Sequence, residues 1–197
     1  MSSNRNTVIR SLHDLGAAAW FGGSLMGAVA VNGVSKDVKD PAERAAVAAA
    51  GWARWTPFAA AAIGAHLVGG AGLLLANRDR VRDQTGATVN TVTKTVLTVA
   101  ALGATAYSGL LGARIASEGG SAPVEGGTVP AETTPDRVAR LQQQERVLQW
   151  VTPVLTGALV ILGAQQGEQQ RASEQLRNAG WGTVARAARR APNLVRS

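Results

Sequence analysis

The sequence predicts an all-α fold, an integral membrane four-helix bundle, and three observations predict it. Four stretches hold no Asp, Glu, Lys or Arg: Leu15 to Ser35, Trp55 to Asn77, Thr95 to Ala113 and Val147 to Gly167. Each is about 19 to 23 residues long, and a helix needs roughly 20 apolar residues to cross the hydrocarbon core. Between them the charges crowd together, as in Lys36-Asp37-Val38-Lys39-Asp40 and Arg78-Asp79-Arg80-Val81-Arg82-Asp83. A soluble amphipathic helix would carry a charge every turn or two instead. Charged residues make up only 17% of the chain, against roughly 25% in an average globular domain. The mean hydropathy stays near zero because Ala and Gly supply much of the apolar content. The distribution carries the signal.

The first span is expected at about 12–34. Arg5 and Arg10 precede it and Ala28-Val29-Ala30 resembles a small-residue cleavage site, yet the segment reads as a retained span rather than a removed signal. In the connection that follows, Asp40 is placed to cap a helix with Pro41 at its first position and Glu43 in its first turn. Ala45 to Ala50 propagate that helix towards Trp52 and Trp55, whose indoles are expected to mark the membrane boundary of a second span at about 55–77. A third span is expected at about 94–114. The segment 117–135, rich in Gly, Pro, Ser and Thr, has too little apolar content to offset its ordering entropy and reads as a flexible loop. Asp136 opens a helix that enters the fourth span at about 147–167, with Pro153 inside it. The domain plan is therefore a transmembrane domain over 1–167 and a basic tail over 168–197.

Basic residues set the orientation. Arg5 and Arg10, Arg78, Arg80, Arg82 and Lys94, and six arginines from Arg171 onward outnumber those in the two other connections when both termini are cytoplasmic. Arg186, Arg189, Arg190 and Arg196 then lie against the inner surface, where basic residues are attracted to anionic headgroups. That tail reads either as a docked amphipathic anchor or as a disordered charged segment. It is not expected to bind nucleic acid. Arg outnumbers Lys 17 to 3, a compositional bias that fits a GC-rich bacterial genome and a bacterial inner (cytoplasmic) membrane.

Membrane helices associate by close packing through small residues. Ala19, Gly23 and Gly27 form one such ridge on the first span, and Ala61, Ala65 and Gly69 another on the second. The ridges serve packing within the chain, against other membrane subunits or in a homo-oligomer.

Candidate chemistry is sparse. The chain has no cysteine, so no thiolate metal site, and it shows no phosphate-binding glycine loop, metal-ligand cluster or Ser-His-Asp arrangement. No metal site and no cofactor are expected. The two histidines, His13 and His66, raise the alternative of a haem b held by axial imidazoles. His13 is expected at the inner end of its span and His66 near mid-depth, roughly 15 Å apart in level at 1.5 Å rise per residue, which disfavours a shared haem within one chain. Mid-depth positions instead suggest a polar cluster of Ser24, His66, Thr105 and Thr156. Thr91, Thr95, Thr98 and Thr105 follow helical spacing and form a hydroxyl seam on the third span. None of the four charge-free spans holds the embedded carboxylate that proton- or ion-coupled carriers use.

The stretch Leu12-His13-Asp14-Leu15-Gly16-Ala17-Ala18-Ala19-Trp20-Phe21-Gly22-Gly23 resembles the opening of a group of small bacterial membrane domains. That group includes the copper-resistance D-type membrane domain and related four-span families, in which a first-helix histidine precedes a Trp-x-Gly-Gly element. The matching positions are His13, Trp20, Gly22 and Gly23. The resemblance implies the four-span layout and, for one branch, copper handling. The chain departs from that chemistry, since it has only Met1 and Met26 as soft sulfur ligands.

The sequence is thus expected to encode a non-catalytic membrane protein, not an enzyme, acting as an accessory or scaffold subunit through helix packing and lipid contacts. The alternatives are a small-solute transporter or channel using a midplane site around His66, and a haem-binding electron-transfer component.

Overall fold

The computed structural model describes residues 5–78 and 85–190, with side chains described over 7–78 and 88–168. The chain divides into two units, Met1–Val160 and Ile161–Ser197. Among the described residues, the first unit contains three long helices, the first part of a fourth and one small hairpin. Helix α1 (Arg5–Met26) continues through a π-helical turn, Gly27–Val31, and ends in a 3-10 turn, Ser35–Asp37. Helix α2 spans Arg44–Ala76, α3 spans Thr85–Gly119, and α4 spans Asp136–Arg190. Strands β1 (Val124–Gly126) and β2 (Val129–Pro130) pair antiparallel between α3 and α4. Among the described residues, four helices are long and apolar enough to cross a membrane: Thr7–Asp37, Arg44–Ala76, Thr88–Gly119 and Asp136–Glu168.

Side-chain contacts establish an up-down-up-down order. His13 meets His66 while Gly27 meets Trp52, so α1 and α2 are antiparallel. His66 meets Thr98 of α3, and Ser108 of α3 meets Glu145 of α4. Asn32 bonds Gln149, which returns α4 to α1.

The α1–α2 pair is the closest in the bundle, and glycine makes it so. A β-carbon at Gly16 would lie 2.5 Å from the Ala62 carbonyl oxygen, and one at Gly69 would lie 2.7 Å from that of Ile9. Further along, the rings of Trp55 and Trp52 lie directly over Gly23 and Gly27. The expected small-residue ridges are therefore half realised. Gly23, Gly27 and Gly69 are buried at the contact, whereas Ala19 and Ala61 are exposed and Ala65 is half-buried. The contact face runs through Gly16, Trp20 and Gly23 on α1, because two tryptophans and a histidine need glycine-sized hollows opposite them. The indoles of Trp52 and Trp55 consequently turn into the bundle rather than outward to a boundary.

The bundle reverses the pattern of a water-soluble fold. Along α4, Gln142, Glu145, Thr152 and Thr156 are buried, while Val147 and Val154 are each 68% exposed. Val92, Val96, Val99 and Leu110 of α3 are exposed as well. Along these helices polar groups face inward and apolar ones face out.

Asp40 accepts the Ala42 backbone N–H at 2.9 Å in the turn ahead of α2 but does not cap the helix as expected: α2 begins at Arg44 with Glu43 as its N-cap, and Pro41 stays in the turn. The segment read as a flexible loop is folded in this structure. Val124 is 1% exposed, its N–H donates to the Pro41 carbonyl at 3.1 Å, and the Gly127 N–H donates to Ser35 Oγ at 2.8 Å. Gln142, fully buried on α4, donates to the carbonyls of Gly126 and Gly127 at 3.0 and 3.2 Å. Hydrogen bonds from three directions replace the apolar surface that the segment lacks.

In the second unit α4 continues as helix to Arg190. The backbone of Arg186, Arg189 and Arg190 lies in that helix, and Arg196 lies outside the described residues.

Candidate functional site, a cavity with a buried carboxylate

The two histidines meet. Their rings stack at 4.1 Å between centroids with 19° between planes. His13 Nδ1 lies 2.9 Å from the His66 carbonyl oxygen, and His66 Nδ1 lies 3.0 Å from the His13 carbonyl oxygen. A carbonyl only accepts, so Nδ1 carries the proton in both rings and each ring donates to the other's backbone. His66 Nε2 is then left to accept from the Thr98 hydroxyl at 3.2 Å. The expected difference in level does not exist. Helix α1 begins at Arg5 and α2 runs on to Ala76, so both histidines lie about two to three turns from the same end of the bundle. Charge-free windows underestimate helix length when Arg10 and Asp14 sit inside the helix. Two rings stacked face to face cannot ligate one iron from opposite sides, so the pair is not a haem site within one chain.

The polar cluster proposed around His66 is dispersed. Thr105 accepts the Trp20 indole N–H at 3.1 Å, and Trp20 packs edge-on against His66 with centroids 6.1 Å apart. Ser24 and Thr156 bond their own helices instead, donating to the carbonyls of Phe21 and Thr152. The hydroxyl seam of α3 divides likewise: Thr98 and Thr105 turn to α2 and α1, while Thr95 donates to the Thr91 carbonyl.

The open space lies further towards the hairpin. Helices α2 and α3 meet at His66 and Thr98, and beyond that level a cavity of about 580 Å³ lies among all four helices. This is within the 300–1,000 Å³ typical of small-molecule sites. Trp20, Trp52 and Trp55 line it, as do alanines of α2 and Gly109, Gly112 and Ala113 of α3. The tip of the hairpin, Gly127 and Thr128, closes one end. Ala53, Ala60, Gly109 and Gly112 are exposed, so the cavity opens sideways between α2 and α3.

Its polar wall is a chain of directed bonds. The Trp52 indole N–H donates to Asn32 Oδ1 at 2.9 Å, the Asn32 amide donates to Gln149 Oε1 at 2.8 Å, and the Gln149 amide donates to the Arg146 carbonyl at 3.0 Å. Glu145 completes this wall. It is 7% exposed, its Oε1 accepts the Ser108 hydroxyl at 2.5 Å, and its Oε2 is buried with no hydrogen-bond partner. No protein-family model matches the chain, and neither does any curated protein or solved structure. The site must be read from its own chemistry.

Sequence reasoning passed over Glu145 because it lies two residues before the fourth charge-free window. A signal was present: Gln142, Glu145, Gln149, Thr152 and Thr156 repeat at alternating three- and four-residue spacing, one face of a helix. On a helix otherwise apolar, such a face belongs inside. Among the described residues, no group of three or more His, Cys, Asp or Glu side chains is arranged to hold a metal ion.

Proposed function

We propose that this is a multi-pass protein of a bacterial cell membrane that binds a small amphipathic molecule in the cavity among its four helices and acts without catalysis, as a carrier or a sensing subunit. The observation that carries this reading is the pairing of a laterally open apolar slot with a buried carboxylate whose Oε2 has no partner. Of the three classes that the sequence allows, this favours the small-molecule class, with the site at Glu145 rather than around His66. The inside-out burial of α4 supports insertion, because lipid tolerates apolar side chains and polar ones must pair within the bundle. The basic residues support cytoplasmic termini, which puts the hairpin outside.

The test uses the purified full chain in maltoside micelles, titrated calorimetrically with hexylammonium, hexanol and hexanoate. Saturable one-site binding of at least one probe is expected, and Gly112→Leu, which fills the slot, should abolish it. Non-saturating heats for all three probes with the unaltered chain would sink the reading.

A further inference from the structure

We infer that the ligand of this cavity is an organic ammonium cation, its charged group held against Glu145 and its apolar body in the slot between α2 and α3. The inference rests on the binding role just proposed and specifies its substrate class.

Charge is the first argument. Glu145 is buried on the cavity wall, and the lining contains no Lys or Arg. A carboxylate withdrawn from water without a counter-charge is costly, and a cationic ligand would supply the missing partner. Hydrogen-bond direction is the second. The indole of Trp52 and the amides of Asn32 and Gln149 already point at protein acceptors, and Ser108 is committed to Glu145 Oε1. Among the lining side chains, the buried polar atom left without a partner is an acceptor, Glu145 Oε2. An ammonium group would donate to that open acceptor, whereas an anion would be repelled by the carboxylate.

The third argument is the apolar wall. Three indoles line the cavity, and aromatic faces attract cations as well as alkyl groups. The rest of that apolar wall is Ala and Gly with Ile63 and Ile115, which suits the hydrocarbon part of an amphiphile. The lateral opening between α2 and α3 admits such a molecule from the lipid phase. The cation is either a free amphiphilic amine or the aminated headgroup of a lipid, since both present the same chemistry to Glu145.

Calorimetry with the same three probes separates this inference from the one beneath it. In the unaltered chain, hexylammonium should bind about tenfold or more tighter than hexanol, and hexanoate weakest of all. Glu145→Gln should bring the cation and the alcohol to equal affinity, with hexanol binding unchanged as proof that the cavity still forms. Ser108→Ala, which frees the second carboxylate oxygen, should keep or widen the preference for the cation. Equal binding of cation and alcohol by the unaltered chain, or cation binding unaffected by Glu145→Gln, overturns the ammonium assignment and leaves the cavity reading standing. Native mass spectrometry of protein taken directly from membranes then assigns the source. Retained phosphatidylethanolamine that disappears in Glu145→Gln identifies a lipid headgroup, and a smaller retained amine identifies a free ligand.

Discussion

At the scale of single residues, the histidine pair shows how a rule about isolated groups fails when two of them meet. An ionisable side chain within a membrane helix is a functional candidate by default. Here both Nδ1 protons are taken up by backbone carbonyls and one Nε2 by a threonine, so the pair staples α1 to α2. His66 is 1% exposed. Its replacement by Ala would remove packed ring volume, release the His13 stack and leave Thr98 without its partner. His66→Ala is therefore expected to cost about 2–4 kcal/mol. His13→Ala preserves the carbonyl that His66 uses and should cost about half as much. Denaturant unfolding in mixed micelles checks the order, and equal losses would mean that the two rings act as one unit.

At the scale of elements, backbone approach decides which glycines matter. Gly16 and Gly69 sit where α1 and α2 nearly touch, whereas a β-carbon at Gly22 or Gly64 meets nothing within 4 Å. Gly16→Ala and Gly69→Ala should each destabilise by about 1–3 kcal/mol, because a methyl group there must push backbone apart. Gly22→Ala and Gly64→Ala should leave the apparent Tm unchanged or raise it, since Ala loses less freedom in a helix. All four add one methyl group to a long apolar helix, so a uniform response would show that approach is not the cause. The element most misjudged from sequence is the segment between α3 and α4. Its composition says loop, but Val124-Glu125-Gly126-Gly127-Thr128-Val129 also carries a two-residue Gly-containing turn between valines, the hairpin signal that composition masked.

At the scale of the whole molecule, the hairpin is the end wall of the cavity, and its anchors come from the end of α1, from the α1–α2 connection and from α4. Gln142→Ala and Ser35→Ala should release it together. Limited proteolysis of the double variant should cut within 121–135 at rates well above those of the unaltered chain, with the helices remaining intact by circular dichroism. Resistance equal to that of the unaltered chain would mean that the Pro41 carbonyl bond and strand pairing suffice. The four-helix architecture was legible from the residues alone, because apolar length and charge spacing are local properties that lipid reads one helix at a time. Of the two ridges read from the residues, Ala19-Gly23-Gly27 and Ala61-Ala65-Gly69, the glycines stand at the contact while Ala19 and Ala61 are exposed, because the partner helix decides which face is met. The level of His13 against His66, the inward turn of Trp52 and Trp55, and the unpaired oxygen of Glu145 were decided only by the assembled bundle. Each depends on which residue of another helix stands opposite. Partners tens of residues apart are brought together by packing, and no window along one helix contains them.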